Sequence, residues 1–385
     1  VSDATPRLRD GLRDTAVVFV IVRVLLFVVS GLSVGLLPLP EGQPTDVPGW
    51  PASIPRWGWD AFFTATERQD ALWFLRIATE GYRTDDGSAA FFPLYPLAVR
   101  VLDQIPGVGP LAAALLVSNA ALFGALLVLH GLTRLELGAE HARRSAFLVA
   151  LFPTACFLLA PYTESLFLLL TLTAFWCARR DRWGWAALAG AGAAMTRSVG
   201  LVLIAALWVE AIRQWRREGK APLPRLTAAA VVAVGPALVF AWWGLAHGDL
   251  WAPLDAQRAW RPDGAVAPWT SIWRAIDHAW RYGSWWALDL LIVAFAVGGV
   301  VLAVRRIGLT YTVYAAGSLA LPLLLPFGGR PLLSVPRFMA VVFPAAWGWS
   351  LAVARGRPPE AAIVGISAAL WGVVTVLFVG WWYVF

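Results

Sequence analysis

Apolar residues in this chain are gathered into long blocks separated by short polar connections. A helix needs about 20 such residues to cross a hydrocarbon core near 30 Å. Eleven blocks approach that length: 15–37, 108–131, 144–161, 163–178, 183–198, 199–212, 226–246, 284–304, 308–327, 335–354 and 361–383. The pattern predicts an all-α polytopic membrane protein, residues 1–385 forming a single integral-membrane domain of about eleven transmembrane helices. A twelfth run, Phe91 to Ile105, is shorter and is interrupted by Pro93 and Pro96.

Orientation decides how that run is read, because Arg and Lys in short loops mark the cytoplasmic side. If 91–105 does not span, Arg179, Arg180, Arg182, Arg213, Arg216, Arg217, Arg305 and Arg306 share a side with Arg7, Arg9 and Arg13. The N-terminus is then cytoplasmic, and 91–105 is an amphipathic or re-entrant segment on the outer face. That face receives the long connections 38–107 and 247–283, and long loops on a rigid scaffold are where function concentrates. The first opens with a Pro-rich stretch, LPLPEGQPTDVPGWPASIPRWGW, and continues into helical composition from Asp60 to Ala78. The first apolar block is too long for a cleaved signal and lacks a small-residue cleavage site, so it is expected to remain as an anchor.

Composition agrees: 59% of residues are hydrophobic and 14% charged, against about 25% charged in soluble domains. The formal charge of +7 is accounted for by orientation in the bilayer, not by nucleic acid. Cys156 and Cys177 lie inside apolar blocks with no metal-ligand spacing and read as packing residues. Many of the 23 tryptophans stand at block ends, as an interfacial belt requires.

Against this background the polar residues of the outer face stand out. Asp70 is followed by Ala71, Leu72, Trp73, Phe74 and Ile77, so its carboxylate sits on a helix whose other face is apolar. There it is either a general base beside the membrane surface or a solvated side chain of an interfacial helix. Asp60, Glu67, Asp85 and Asp86 compete for the first role, although Asp85 and Asp86 precede Gly87 and suit a turn. Glu164, Arg197 and Arg337 all fall at the outer ends of their blocks, and ionisable residues at such depth usually face a polar cavity. Arg23, about nine residues into the first block, either pairs with an acid in the bundle or lines the site. In the second loop, Gln257, Arg258, Trp260 and Arg261 mix arginine with tryptophan, as do Arg274 and Arg281 near Trp273 and Trp280. That mixture suits a lipid phosphate as well as plain interfacial anchoring.

The strings DALWFLRIATEGY and AFFPLYPLAVR resemble the first outer loop of the PIG-V mannosyltransferases, a family of the GT-C glycosyltransferase superfamily. PYTESLF at 161–167, TRSVG at 196–200 and SVPRFMAVVFP at 334–344 extend the resemblance in the same order. It implies a GT-C-type bundle, a polyprenyl-phosphate mannose donor, and inverting transfer to a glycan, glycolipid or protein acceptor outside the membrane. Asp70 matches the family's catalytic aspartate, with Gln69 where the family usually has Trp. The upstream Trp59-Asp60-Ala61 is the competing match, and Asp70 is preferred because Ile77 to Tyr82 follow it at the expected distance. Donor phosphate is assigned to Arg337 first, then Arg261, Arg258 and Arg197. Trp73, Tyr82, Tyr95, Tyr162, Glu164, Gln257 and Trp260 are the expected substrate contacts.

No DxD element occurs in an outer loop, Asp85-Asp86 being the nearest approach, so no cofactor or divalent metal is expected. Partners are the bilayer, the lipid-linked donor and the acceptor, in a plasma-membrane setting. A flippase for a lipid-linked sugar would carry similar arginines, but transporters commonly show repeated halves, and this chain shows none by eye. A structural partner in envelope assembly with a degenerate site is the third reading.

Overall fold

The computed structural model describes residues 4–37, 47, 50, 59–219, 221–261, 264–283, 285–327, 329–356 and 358–382, without the side chains of 4–8, 59–61 and 285. Most of the Pro-rich stretch and the side chain of Asp60 therefore lie outside the described residues. Within them regular structure is helical, apart from one isolated Phe327–Arg330 bridge.

Among the described residues six helices are long and apolar enough to cross a bilayer: Arg9–Leu36, Pro110–Glu136, Ser198–Glu218, Leu223–His247, Trp286–Ala303 and Glu360–Val379. Eleven spans were expected; of the five blocks outside this set, Glu164–Arg179, Trp183–Thr196 and Leu309–Leu324 form helices of 16, 14 and 16 residues, and the other two are broken. Block 144–161 is not one helix: Ala139–Ala150 ends before Pro153, and the chain resumes helix at Cys156–Leu159. Block 335–354 likewise divides into Val335–Met339 and Pro344–Ala354. Proline supplies no N–H to the helical ladder, so both breaks fall where a backbone bond is already lost.

Unwound backbone inside a membrane protein must find partners within the protein. Here side chains provide them. Asn119 donates to the Leu159 carbonyl (3.1 Å), Ser118 to that of Tyr162 (3.2 Å) and Ser367 to that of Leu151 (2.6 Å). Thr154 donates to the Pro336 carbonyl (2.8 Å) and Tyr314 to that of Val341 (3.0 Å), so the two broken segments are bound to each other and to their neighbours.

The Leu94–Asp103 helix has 10 residues and reaches about 15 Å, half a hydrocarbon core. It buries Tyr95, Pro96 and Val99 against the bundle. Elsewhere small residues let helices approach closely. A Cβ on Gly348 would lie 1.7 Å from the Gly299 carbonyl oxygen, so Pro344–Ala354 and Trp285–Ala303 touch backbone to backbone. Glu164–Arg179 runs from the broken segments to a polar clasp at the other end of the bundle. In that clasp Arg179 lies 3.3 Å from Glu210 and bonds Glu136, while Thr310 and Tyr311 donate to Glu210 and Glu136 at 3.0 and 2.8 Å.

Candidate active site

Four helix ends converge on one cavity of ≈ 280 Å³, and each bears a charge opposite to its own dipole. Asp70 is the first residue of Asp70–Glu80 and Glu164 the first of Glu164–Arg179. A helix N-terminus favours negative charge. Arg197 caps the C-terminal end of Trp183–Thr196, and Arg261 that of Ala252–Trp260, where positive charge is favoured.

Arg337, on the short Val335–Met339 helix, ties these groups together. Its Nη1 donates to Asp70 Oδ2 at 2.5 Å, and its Nε lies 3.1 Å from Glu164 Oε1. Arg197 donates to the same Glu164 oxygen and, at 3.2 Å, to Thr163. Glu164 is fully buried beneath the cavity and bridges two guanidinium groups, while Asp70 keeps Oδ1 without a hydrogen bond among the described residues.

Arg261 differs from the other two arginines. It donates to Gln257, lies 4.7 Å over the Phe327 ring, and among the described residues pairs with no carboxylate, its buried Nε without a hydrogen-bond partner there. Burial, and then repulsion from Arg197, push its pKa below the ordinary arginine value; no carboxylate opposes the shift. Two carboxylates against three guanidinium groups leave the cavity with one surplus positive charge.

The opposite wall is aromatic. Trp73 stacks on Phe91 at 5.3 Å, and Trp260 meets both edge-on at 6.4 and 5.8 Å. Gln257 donates to the Ala90 carbonyl (2.7 Å), which seats the second long connection on the first.

Asp70, Trp73, Arg197, Gln257, Trp260, Arg261 and Arg337 thus line one cavity, with Glu164 directly below. Other expected contacts stand elsewhere. Tyr162 is buried under the site, its hydroxyl on the Arg68 carbonyl and its ring 5.3 Å from Arg337. Tyr82 donates to the Phe91 carbonyl and packs on Trp242 and Trp243, behind the cavity wall. Tyr95 is fully buried against Ser118 and the Ala114 carbonyl and is a packing residue. Arg258 is 70% exposed and paired with Asp255, because one helical position turns it away from Gln257. Arg23 packs over Phe27 in the first span, away from the cavity. Asp86 pairs with buried Arg76 and accepts from the Ser88 amide, so it closes a turn.

Gln69, Thr163, Ser334 and Phe338 also line the cavity and were not anticipated. Gln69 and Ser334 have φ of 52° and 65°, rare for residues with a Cβ. They directly precede the helices that present Asp70 and Arg337. No pattern in the sequence announces such backbone.

Comparison with known proteins follows the same lines. Residues 18–218 match the family described as Mannosyltransferase (PIG-V), more than half of the 385 residues. GPI alpha-1,6-mannosyltransferase 2 from Rattus norvegicus is 38% identical over 156 residues, 38% of this chain and 31% of that protein. The Homo sapiens protein of the same name is 39% identical over 145 residues, covering 35% and 29%. The match therefore spans less than a third of the length of these relatives. The crystal structure of ArnT from Cupriavidus metallidurans bound to undecaprenyl phosphate superposes with a TM-score of 0.52 at 13% identity, covering 96% of this chain and 76% of that one. This likeness establishes the fold as GT-C-type, and the rat and human relatives are named as transferases, not as transporters. Matching that family from the first span through Glu218, the chain belongs to the PIG-V mannosyltransferase family.

Proposed function

We propose that this chain is a membrane mannosyltransferase that moves mannose from a polyprenyl-phosphate donor to an acceptor hydroxyl on the extracytoplasmic face, with inversion. The observation that carries the reading is the pairing of Asp70 with a cavity holding one uncompensated guanidinium, Arg261. A phosphodiester-linked sugar brings one negative charge, which matches the surplus. In the transfer the acceptor oxygen bonds to the anomeric carbon, the bond from that carbon to the phosphate oxygen breaks, and the proton passes to Asp70 Oδ1. The departing phosphate gains a second charge, which Arg261, with Arg337 and Arg197 behind it, stabilises.

The hydroxyl proton becomes acidic only as the new bond forms, and Asp70 Oδ1 stands ready to take it then. Proton transfer of this kind contributes about 10²–10⁴-fold. Each preorganised donor at the leaving group supplies roughly 3 kcal/mol. Trp73 and Trp260 give the sugar ring an apolar wall. In this reading arginine charge serves the leaving group, so the reaction proceeds without a divalent metal.

The test is Asp70→Asn in the purified full chain, supplied with polyprenyl-phosphate mannose and candidate glycolipid acceptors. Transfer should fall by at least 100-fold with donor binding retained. Transfer at the wild-type rate would remove Asp70 from the mechanism.

A further inference from the structure

The residues just before Asp70 are gripped by parts of the chain remote from the cavity. Arg68 is fully buried, and its side chain reaches the end of the last helix, where Nε donates to the Val379 carbonyl at 3.3 Å. That carbonyl belongs to the final turn of Glu360–Val379, whose C=O groups have no partner within the helix. The guanidinium lies 4.6 Å over the Trp381 ring. Its Nη1 closes the preceding turn through the Thr64 and Glu67 carbonyls, at 3.0 and 2.8 Å. The Arg68 carbonyl accepts from the Tyr162 hydroxyl at 2.9 Å, two residues before Glu164. Gln69 then adopts its φ of 52° with its side-chain amide on the Trp382 carbonyl at 3.1 Å.

A non-glycine residue in such a conformation persists only where its surroundings over-determine it. Here the surroundings are three separate stretches of chain, and what they hold is the first residue of the helix that carries the carboxylate. We infer that Arg68 is a positioning residue for Asp70: it clamps the end of the last helix onto the Gln69 turn and thereby sets the Asp70 carboxylate against Arg337. The inference rests on the transferase reading for its kinetic consequence, but its structural content does not depend on it. Arg68 does not line the cavity, so it acts on the site through the Gln69 turn and the Asp70 that follows it.

The experiment uses the full chain in lipid nanodiscs with Arg68→Gln, Arg68→Lys and the milder Trp381→Ala, the last in case loss of the buried cation prevents folding. Amide hydrogen exchange at residues 69–73 should rise in Arg68→Gln and Trp381→Ala and remain near wild type in Arg68→Lys. Exchange unchanged in both disruptive variants would overturn the clamp, whether or not the protein transfers mannose. Kinetically, kcat should drop by about 10–100-fold, the scale of a misplacement near 1 Å, with donor KM within twofold and partial recovery in Arg68→Lys. In an Asp70→Asn background the same substitutions should produce no further loss, since groups that act as a unit are not additive. A full additional loss there would show that Arg68 acts elsewhere and would overturn the assignment. Absence of transfer by the wild type with every donor ends the transferase reading, and the exchange result then decides the clamp by itself.

Discussion

Replacing Glu164 by Gln tests the electrostatics of the cavity without touching a residue that lines it. The Glu164 side chain is fully buried, and the two guanidinium groups it bridges are only 8% and 11% exposed. Without its charge, Asp70 alone faces Arg337 and Arg197, and the surplus at the cavity rises from one positive charge to two. Breaking a buried pair costs about 3–5 kcal/mol. The Gln carbonyl still accepts from Arg197, which puts the expected loss near the lower end, about 3 kcal/mol. The missing charge is anionic, so an anionic ligand should restore part of it: undecaprenyl phosphate should stabilise the variant more than the wild type. Thermal unfolding in detergent can be followed with a thiol-reactive dye, since Cys156 is buried in the native state. A variant that unfolds at the wild-type temperature, or whose midpoint the phosphate lipid raises no more than the wild type's, would refute the charge count.

Further outcomes separate the neighbouring assignments. Arg261→Gln should weaken donor binding by about 10–100-fold, the value of a charge-assisted hydrogen bond, while Arg258→Ala, an exposed surface pair, should change it less than about twofold; equal effects in a binding titration would contradict the distinction. Gly348→Ala should lower the unfolding midpoint, because the clash with the Gly299 carbonyl costs more, about 1–3 kcal/mol, than the helix-propensity gain of about 1 kcal/mol. Partial burial raises the pKa of Asp86, but its bonds to Ser88 and the charge of Arg76 more than offset this, leaving it below the ordinary value of 3.8. The stability it contributes is present above that value and is lost as pH falls through the lower folded pKa. Asp86→Asn should therefore flatten the pH dependence of the midpoint below about pH 4, as measured by acid titration of both proteins.

The loop aspartate, the outer arginines and the aromatic wall were legible because each is costly where it stands. An acid on a half-apolar helix, or an arginine at a block end, needs a reason that Leu or Ala does not. Tyr82, Tyr95 and Arg258 misled for the converse reason. Aromatic and basic residues also serve packing and interfaces, and one position along a helix rotates a side chain by about 100°, which is what divides Arg258 from Gln257, while Arg261 follows the helix as its C-cap. The count of eleven spans is not confirmed, because at Pro153 and Pro344 apolar composition continues across a backbone break.

By itself, then, the sequence determined the membrane class, the helical content, the family and the chemical types gathered in the outer loops, since those follow from composition, block length and short motifs. Only the tertiary structure decided which of the charged residues meet. Asp70 and Arg337 are 267 positions apart, and Arg68 and Val379 are 311 apart. Such pairings are made by the packing of broken helices against one another. The positive-φ backbone at Gln69 is likewise held by a distant contact, with the Trp382 carbonyl, which no local propensity encodes.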